Sequence, residues 1–128
     1  MYKRDLIKSE IENLALVLAK ILGLKQIGKV LEAEQTFNDT INKDFGLNPQ
    51  LINSADTKQF LVWLNESTLP PEKLGSLSEF LYWKFTQDEN PNKQLAIMLN
   101  AVYNKLIIEH KIVHLDQLQK QEHVKKYL

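Results

Sequence analysis

The feature that most constrains this chain is the spacing of its apolar residues. Ile7, Ile11, Leu14, Leu18 and Ile21 step by four and three along the first segment. A helix turns once in about 3.6 residues, so this stepping stacks all five on one face. The same rhythm returns downstream. Asn-Gly hairpin turns are absent, and short Val/Ile/Thr runs alternating with polar residues are rare. The pattern predicts an all-α fold of five or six helices in antiparallel hairpins, arranged as an array or as a compact bundle.

A first helix is expected over residues 3–26. Gly23 interrupts it, at roughly 1 kcal/mol relative to Ala, but Leu24 stays in step with Leu14 and Ile21. The helix is therefore read through Gly23, with a stop at that residue as the alternative. Gly28 can take the left-handed conformation that ends helices. A second helix follows over residues 29–44, its apolar face made of Val30, Ala33, Phe37, Ile41 and Phe45. Gly46 closes it and Asn48-Pro49 blocks continuation.

Residues 46–69 form the loosest stretch, with a helical turn around 50–53 and then a short helix. Asp56 is its N-cap and Gln59 completes a capping-box pattern, with Phe60, Leu61 and Leu64 facing inward. Pro71 opens the next helix, which runs to Gln87 and carries Leu74, Leu77, Phe80, Leu81 and Phe85 on one side. A competing start lies at Ser76. Asn90 then caps, and Pro91 begins, the most apolar helix, whose Leu95, Leu99, Val102 and Leu106 place it centrally. A final helix over 115–126 uses Leu118 and Val124. The whole reads as a single helical domain, with hairpins over 3–45 and 71–110.

Composition narrows the function classes. A chain of 128 residues, 44% of them hydrophobic, hides roughly two-thirds of the surface its unfolded form would expose, so it needs neither disulfide nor metal to fold. Basic and acidic residues balance at 16 each, without the basic excess of a dedicated nucleic-acid binder. Lys120, Lys125 and Lys126 near the C-terminus suit a solvated helix end. With no Cys, thiolate nucleophiles and Cys-ligated zinc are out of reach. The segment MYKRDLIKSEIENL turns acidic too early for a signal peptide. The longest apolar run, Leu14–Leu24, spans 11 residues and contains Lys20, far short of the roughly 20 that cross a membrane. A cytoplasmic protein is expected, with neither a membrane nor a nucleic acid as partner.

Catalytic motifs are hard to find. His110 and His114 stand at i, i+4, a spacing that binds zinc when both lie on one helix, with Asp116 the nearest acidic addition. The segment HKIVHLD also reads as a junction between helices, which would part the two rings and leave a pair of surface histidines. No Glu precedes a His by three, as di-iron bundles require. Gly28-Lys29 lacks the following hydroxyl of a phosphate loop, Val30 standing in that place, and no nucleophile elbow occurs. No cofactor is implied.

The stretch IGKVLEAEQTFNDTI places Gly28, Ala33, Phe37 and Thr40 as in the second helix of a tetratricopeptide (TPR) hairpin, where small residues and an aromatic build the contact with the first helix. The first-helix positions, Val17, Lys20 and Ile21, fit poorly. Ala33 and Leu95, the equivalent positions of two hairpins, are 62 residues apart, short of two periods of about 34. The spacing therefore leaves a TPR-like hairpin and a generic helix bundle both open.

The order LAKILGLKQIGKVLEAEQTFNDTI…FGLN, followed by an irregular middle and a helical hairpin, resembles an uncharacterised bacterial family of small TPR-like proteins. The correspondence is best over Leu14–Leu47. Residues 71–108 match only in helix pattern. The resemblance implies a TPR-like fold and carries no assigned activity.

Between Leu14 and Leu24 only Lys20 is charged. A helix apolar nearly all round must be buried on more than one side. Either later helices fold back over it, or a second copy or a partner covers it. Leu18 and Leu22 are thus candidate interaction residues. Tyr82 and Trp83, off the core face of their helix, are candidate interface anchors or core residues with their polar atoms at the surface. The expected function is a non-catalytic protein–protein interaction module. The alternative is a small-ligand- or metal-binding helical domain, in its enzymatic form using His110, His114 and nearby carboxylates.

Overall fold

The computed structural model describes residues 2–87 and 91–128, with side chains from Leu6 onward. Every regular element among them is helical: α1 Tyr2–Gln26, α2 Val30–Phe45, α3 Pro49–Asn53, α4 Thr57–Glu66, α5 Pro71–Thr86, α6 Lys93–Ile108 and α7 Leu115–Lys125. The described residues hold seven helices where five or six were expected, because the turn around residues 50–53 closes into a helix of its own. The chain divides into two compact units, residues 1–49 and 50–128.

In the first unit α1 and α2 pack together as a hairpin. Leu14 and Ile21 of α1 are buried, as are Ala33, Phe37, Thr40, Ile41 and Phe45 of α2. α1 continues through Gly23. The turn forms where the amide of Gly28 donates to the Lys25 carbonyl (3.2 Å) and that of Lys29 to the Leu24 carbonyl (2.8 Å). Gly28 takes φ 81 there, the left-handed geometry of a Schellman stop. Gly46 ends α2 in the same region, at φ 65. Val30, expected on the apolar face, is exposed, because it is the first residue of α2 and lies at the turn.

In the second unit α6 is central, packing on α4, α5 and α7. Seven of its residues are buried: Leu95, Ala96, Met98, Leu99, Val102, Tyr103 and Leu106. Asp56 caps α4 by accepting from the Gln59 amide at 3.2 Å. α5 starts at Pro71, not at Ser76, whose hydroxyl instead bonds back to the Glu72 carbonyl within the helix. The cap of α6 is Asn92, whose Oδ1 accepts from the amides of Gln94 (2.7 Å) and Leu95 (3.4 Å). Pro91 therefore precedes the helix, and Asn90, the expected cap, lies outside the described residues.

Two inward assignments fail. Leu61 and Leu118 are exposed, while Phe60 and Leu64 of α4 and Val124 of α7 are buried. On α7 the second buried position is taken by Gln121. Its amide nitrogen donates to Asn100 Oδ1 (2.9 Å) and Asn104 Oδ1 (3.0 Å) on α6. A buried amide so satisfied fixes the register of α7 on α6.

Candidate functional site

The apolar flank of α1 is not fully covered. Ala15, Ala19 and Leu22 are exposed and Leu18 is half-buried; these four share a face by i, i+3, i+4 and i+7 spacing. Leu22 is 47% exposed, and Leu16, on the neighbouring side, 70%. Packing on α2 therefore leaves this flank of α1 open within the first unit. Its apolar character exceeds what its buried positions, Leu14 and Ile21, call for.

Trp83, a candidate interface anchor, is a core residue at 5% exposure. The correction has a geometric reason. At about 100° per residue, the buried positions Leu74, Leu77, Ser78, Phe80, Leu81, Trp83 and Phe85 cover more than half the circumference of α5, and Trp83 closes one edge of that arc. Tyr82 is half-buried. Its ring meets Phe85 at 6.2 Å and His123 at 6.1 Å between centroids, and the Lys120 ammonium sits 5.4 Å from the ring centre. With Tyr127, which stacks edge-on against Phe85 and His123, these rings pin α7 and the C-terminal turn to α5.

His110 lies just past the end of α6 and His114 is the N-cap of α7. The chain between them is not helical, so the i, i+4 spacing does not stack the rings on one helix face. Asp116 pairs with Lys120 at 3.1 Å, and Lys120 also reaches Glu79 at 4.0 Å. Among the described residues no group of three His, Asp or Glu is placed to hold a metal. Near these carboxylates sits Tyr103, 1% exposed, its hydroxyl without a hydrogen-bond partner. Burial holds its proton on well above the usual phenol range, with Tyr82, Glu79 and Asp116 acting in the same direction.

One feature of the second unit was not legible in the sequence. An open groove of about 340 Å³ runs between α4 and α6. Leu61, Leu64, Ala101 and Ile108 give it an apolar wall; Asn65, Asn104 and a Lys105–Glu109 ion pair at 3.1 Å border it. The available signal was the double isoleucine at 107–108. Two adjacent helical residues point about 100° apart; here Ile107 is half-buried while Ile108 is 71% exposed.

No helix among the described residues is long and apolar enough to cross a membrane. Comparison with protein-family models, curated proteins and solved structures returns no match.

Proposed function

We propose that this chain is a non-catalytic, TPR-like protein–protein interaction module of the cytoplasm, which binds a protein partner or a second copy through the flank of α1. The observation that carries the reading is the exposure of Ala15, Ala19 and Leu22 beside half-buried Leu18. Small residues at 15 and 19 let another helix approach closely, and Leu18 and Leu22 supply the apolar contact. Covering such a stripe contributes roughly 25 cal/mol per Å² of apolar surface removed from water. The hairpin of α1 and α2 and the Gly28, Ala33, Phe37, Thr40 series support the TPR-like part of the reading.

A photo-crosslinking amino acid placed at position 22 tests it in cells. Covalent adducts at position 22, absent when the same group replaces Asn13, are expected. Equal or no capture at both positions contradicts the proposal.

The α4–α6 groove favours a second reading, a small-ligand-binding helical domain. Its volume is at the low end of ligand pockets, about 300–1,000 Å³. A ligand panel followed by melting temperature separates the two, since a ligand at 100 times its Kd adds about 2.7 kcal/mol.

A further inference from the structure

α7 is an arm on a strained hinge. It has 11 residues, LDQLQKQEHVK, a length at which an isolated helix is marginal in water, below about 12–15 residues. It therefore needs a surface to lie on. That surface is supplied by Asn100 and Asn104, which receive the Gln121 amide, by Glu79, which faces Lys120, and by the rings that meet His123 and Tyr127. None of these contacts depends on α7 belonging to the same chain as α6.

The hinge, residues 109–114, carries two marks of its own. Lys111 stands at φ 56, a left-handed conformation that is unfavourable for a residue with a Cβ. Around it, Ile108, Val113 and Leu115 are all more than half exposed. Short hinges under strain favour exchange of the element they tether. In an exchanged pair the two hinges run beside each other, Lys111 relaxes to an extended conformation, and the three exposed apolar residues gain a surface to cover them.

We propose that a second copy of this chain is the partner for this end of the molecule, and that the two exchange α7, each arm docking on the other's α6. The exchange is independent of any partner bound at α1.

Light and heavy isotope-labelled chains are mixed, unfolded and refolded together at high concentration. The oligomers are then separated, and Lys120 is coupled to Glu79 with a zero-length carbodiimide. The expected result is a dimer that persists on dilution and yields Lys120–Glu79 peptides joining a light chain to a heavy one. In Lys111→Gly, where the strain is absent, the dimer Kd is expected to rise by about tenfold or more, two hinges being relieved per dimer. A chain that stays monomeric at every concentration overturns the proposal. So does a dimer whose Lys120–Glu79 peptides never mix isotopes. An unchanged Kd in Lys111→Gly overturns the role of the hinge.

Discussion

Lys111 holds at the end of α6 the backbone position that Gly46 holds at the end of α2. Their φ angles are 56 and 65. In both cases the next residue's amide donates to the carbonyl six residues before it: Ile112 to Leu106 at 3.0 Å, and Leu47 to Ile41 at 3.2 Å. The glycine adopts this conformation without penalty; the lysine does not. Ala55, at φ 54 beyond α3, stands in the same position as Gly28: its amide donates to Ile52, and that of Asp56 to Leu51. Replacing Lys111 or Ala55 by Gly is expected to stabilise the fold by about 0.5–1 kcal/mol, strain relief of roughly 1–2 kcal/mol being partly offset by the freer unfolded chain. Urea unfolding of each variant checks this.

The helical glycines behave in the opposite way. Gly23 and Gly75 lie inside α1 and α5, and a Cβ added at either meets nothing within 4 Å. Gly23→Ala and Gly75→Ala are each expected to stabilise by about 0.5–1 kcal/mol. Gly28→Ala, with equal space but φ 81, is expected to destabilise by a similar or larger amount. Thermal melts of the three variants, compared side by side, separate backbone conformation from packing.

Tyr103 makes a prediction about alkali. Its hydroxyl is buried without a partner, so Tyr103→Phe is expected to be neutral or stabilising by up to about 1 kcal/mol. Its folded pKa is raised above the unfolded value of about 10. Below about pH 10 both states hold the proton and stability is unaffected. Above it the unfolded chain releases the proton first, so stability falls with a slope approaching 1.4 kcal/mol per pH unit. Tyr103→Phe is expected to lose that part of the alkaline slope, measured by denaturation between pH 9 and 11.

Gln121 tests how α7 is held. Gln121→Ala removes the donor shared by Asn100 and Asn104, at an expected cost of about 1–3 kcal/mol. Hydrogen exchange should quicken across α7 and leave α1 and α2 unchanged.

How far the sequence could be read depends on which residues mark each helix end and face. Asp56, Pro71, Gly28 and Gly46 carry local signals whose physics needs no tertiary context, and the ends they mark are found there. The stops at Ala55 and Lys111 were invisible, because the residues that adopt the left-handed conformation are not the ones that favour it. Asn92 caps α6 from a stretch, Asn90-Pro91-Asn92, in which two asparagines compete. Faces were read less well than ends. Periodicity finds the middle of a buried arc, as at Phe37 and Leu99, but not its width, so it leaves Trp83 open between core residue and interface anchor. Leu61 fits a helical face yet borders an open groove. Gln121 holds a buried place that its polarity disguised. The exposed flank of α1 was legible as an excess of apolar residues, though not which of them remain uncovered.

Binding through the flank of α1 is tested by affinity capture from host lysate with the native chain and with Leu22→Lys as baits. Leu22 is nearly half exposed, so the lysine should leave the fold intact, as circular dichroism and melting temperature would verify. The expected result is a protein, either a distinct partner or an untagged copy, that the native chain retains and the folded variant loses. Equal retention by both baits, or retention by neither, would contradict the assignment of α1 as the binding surface.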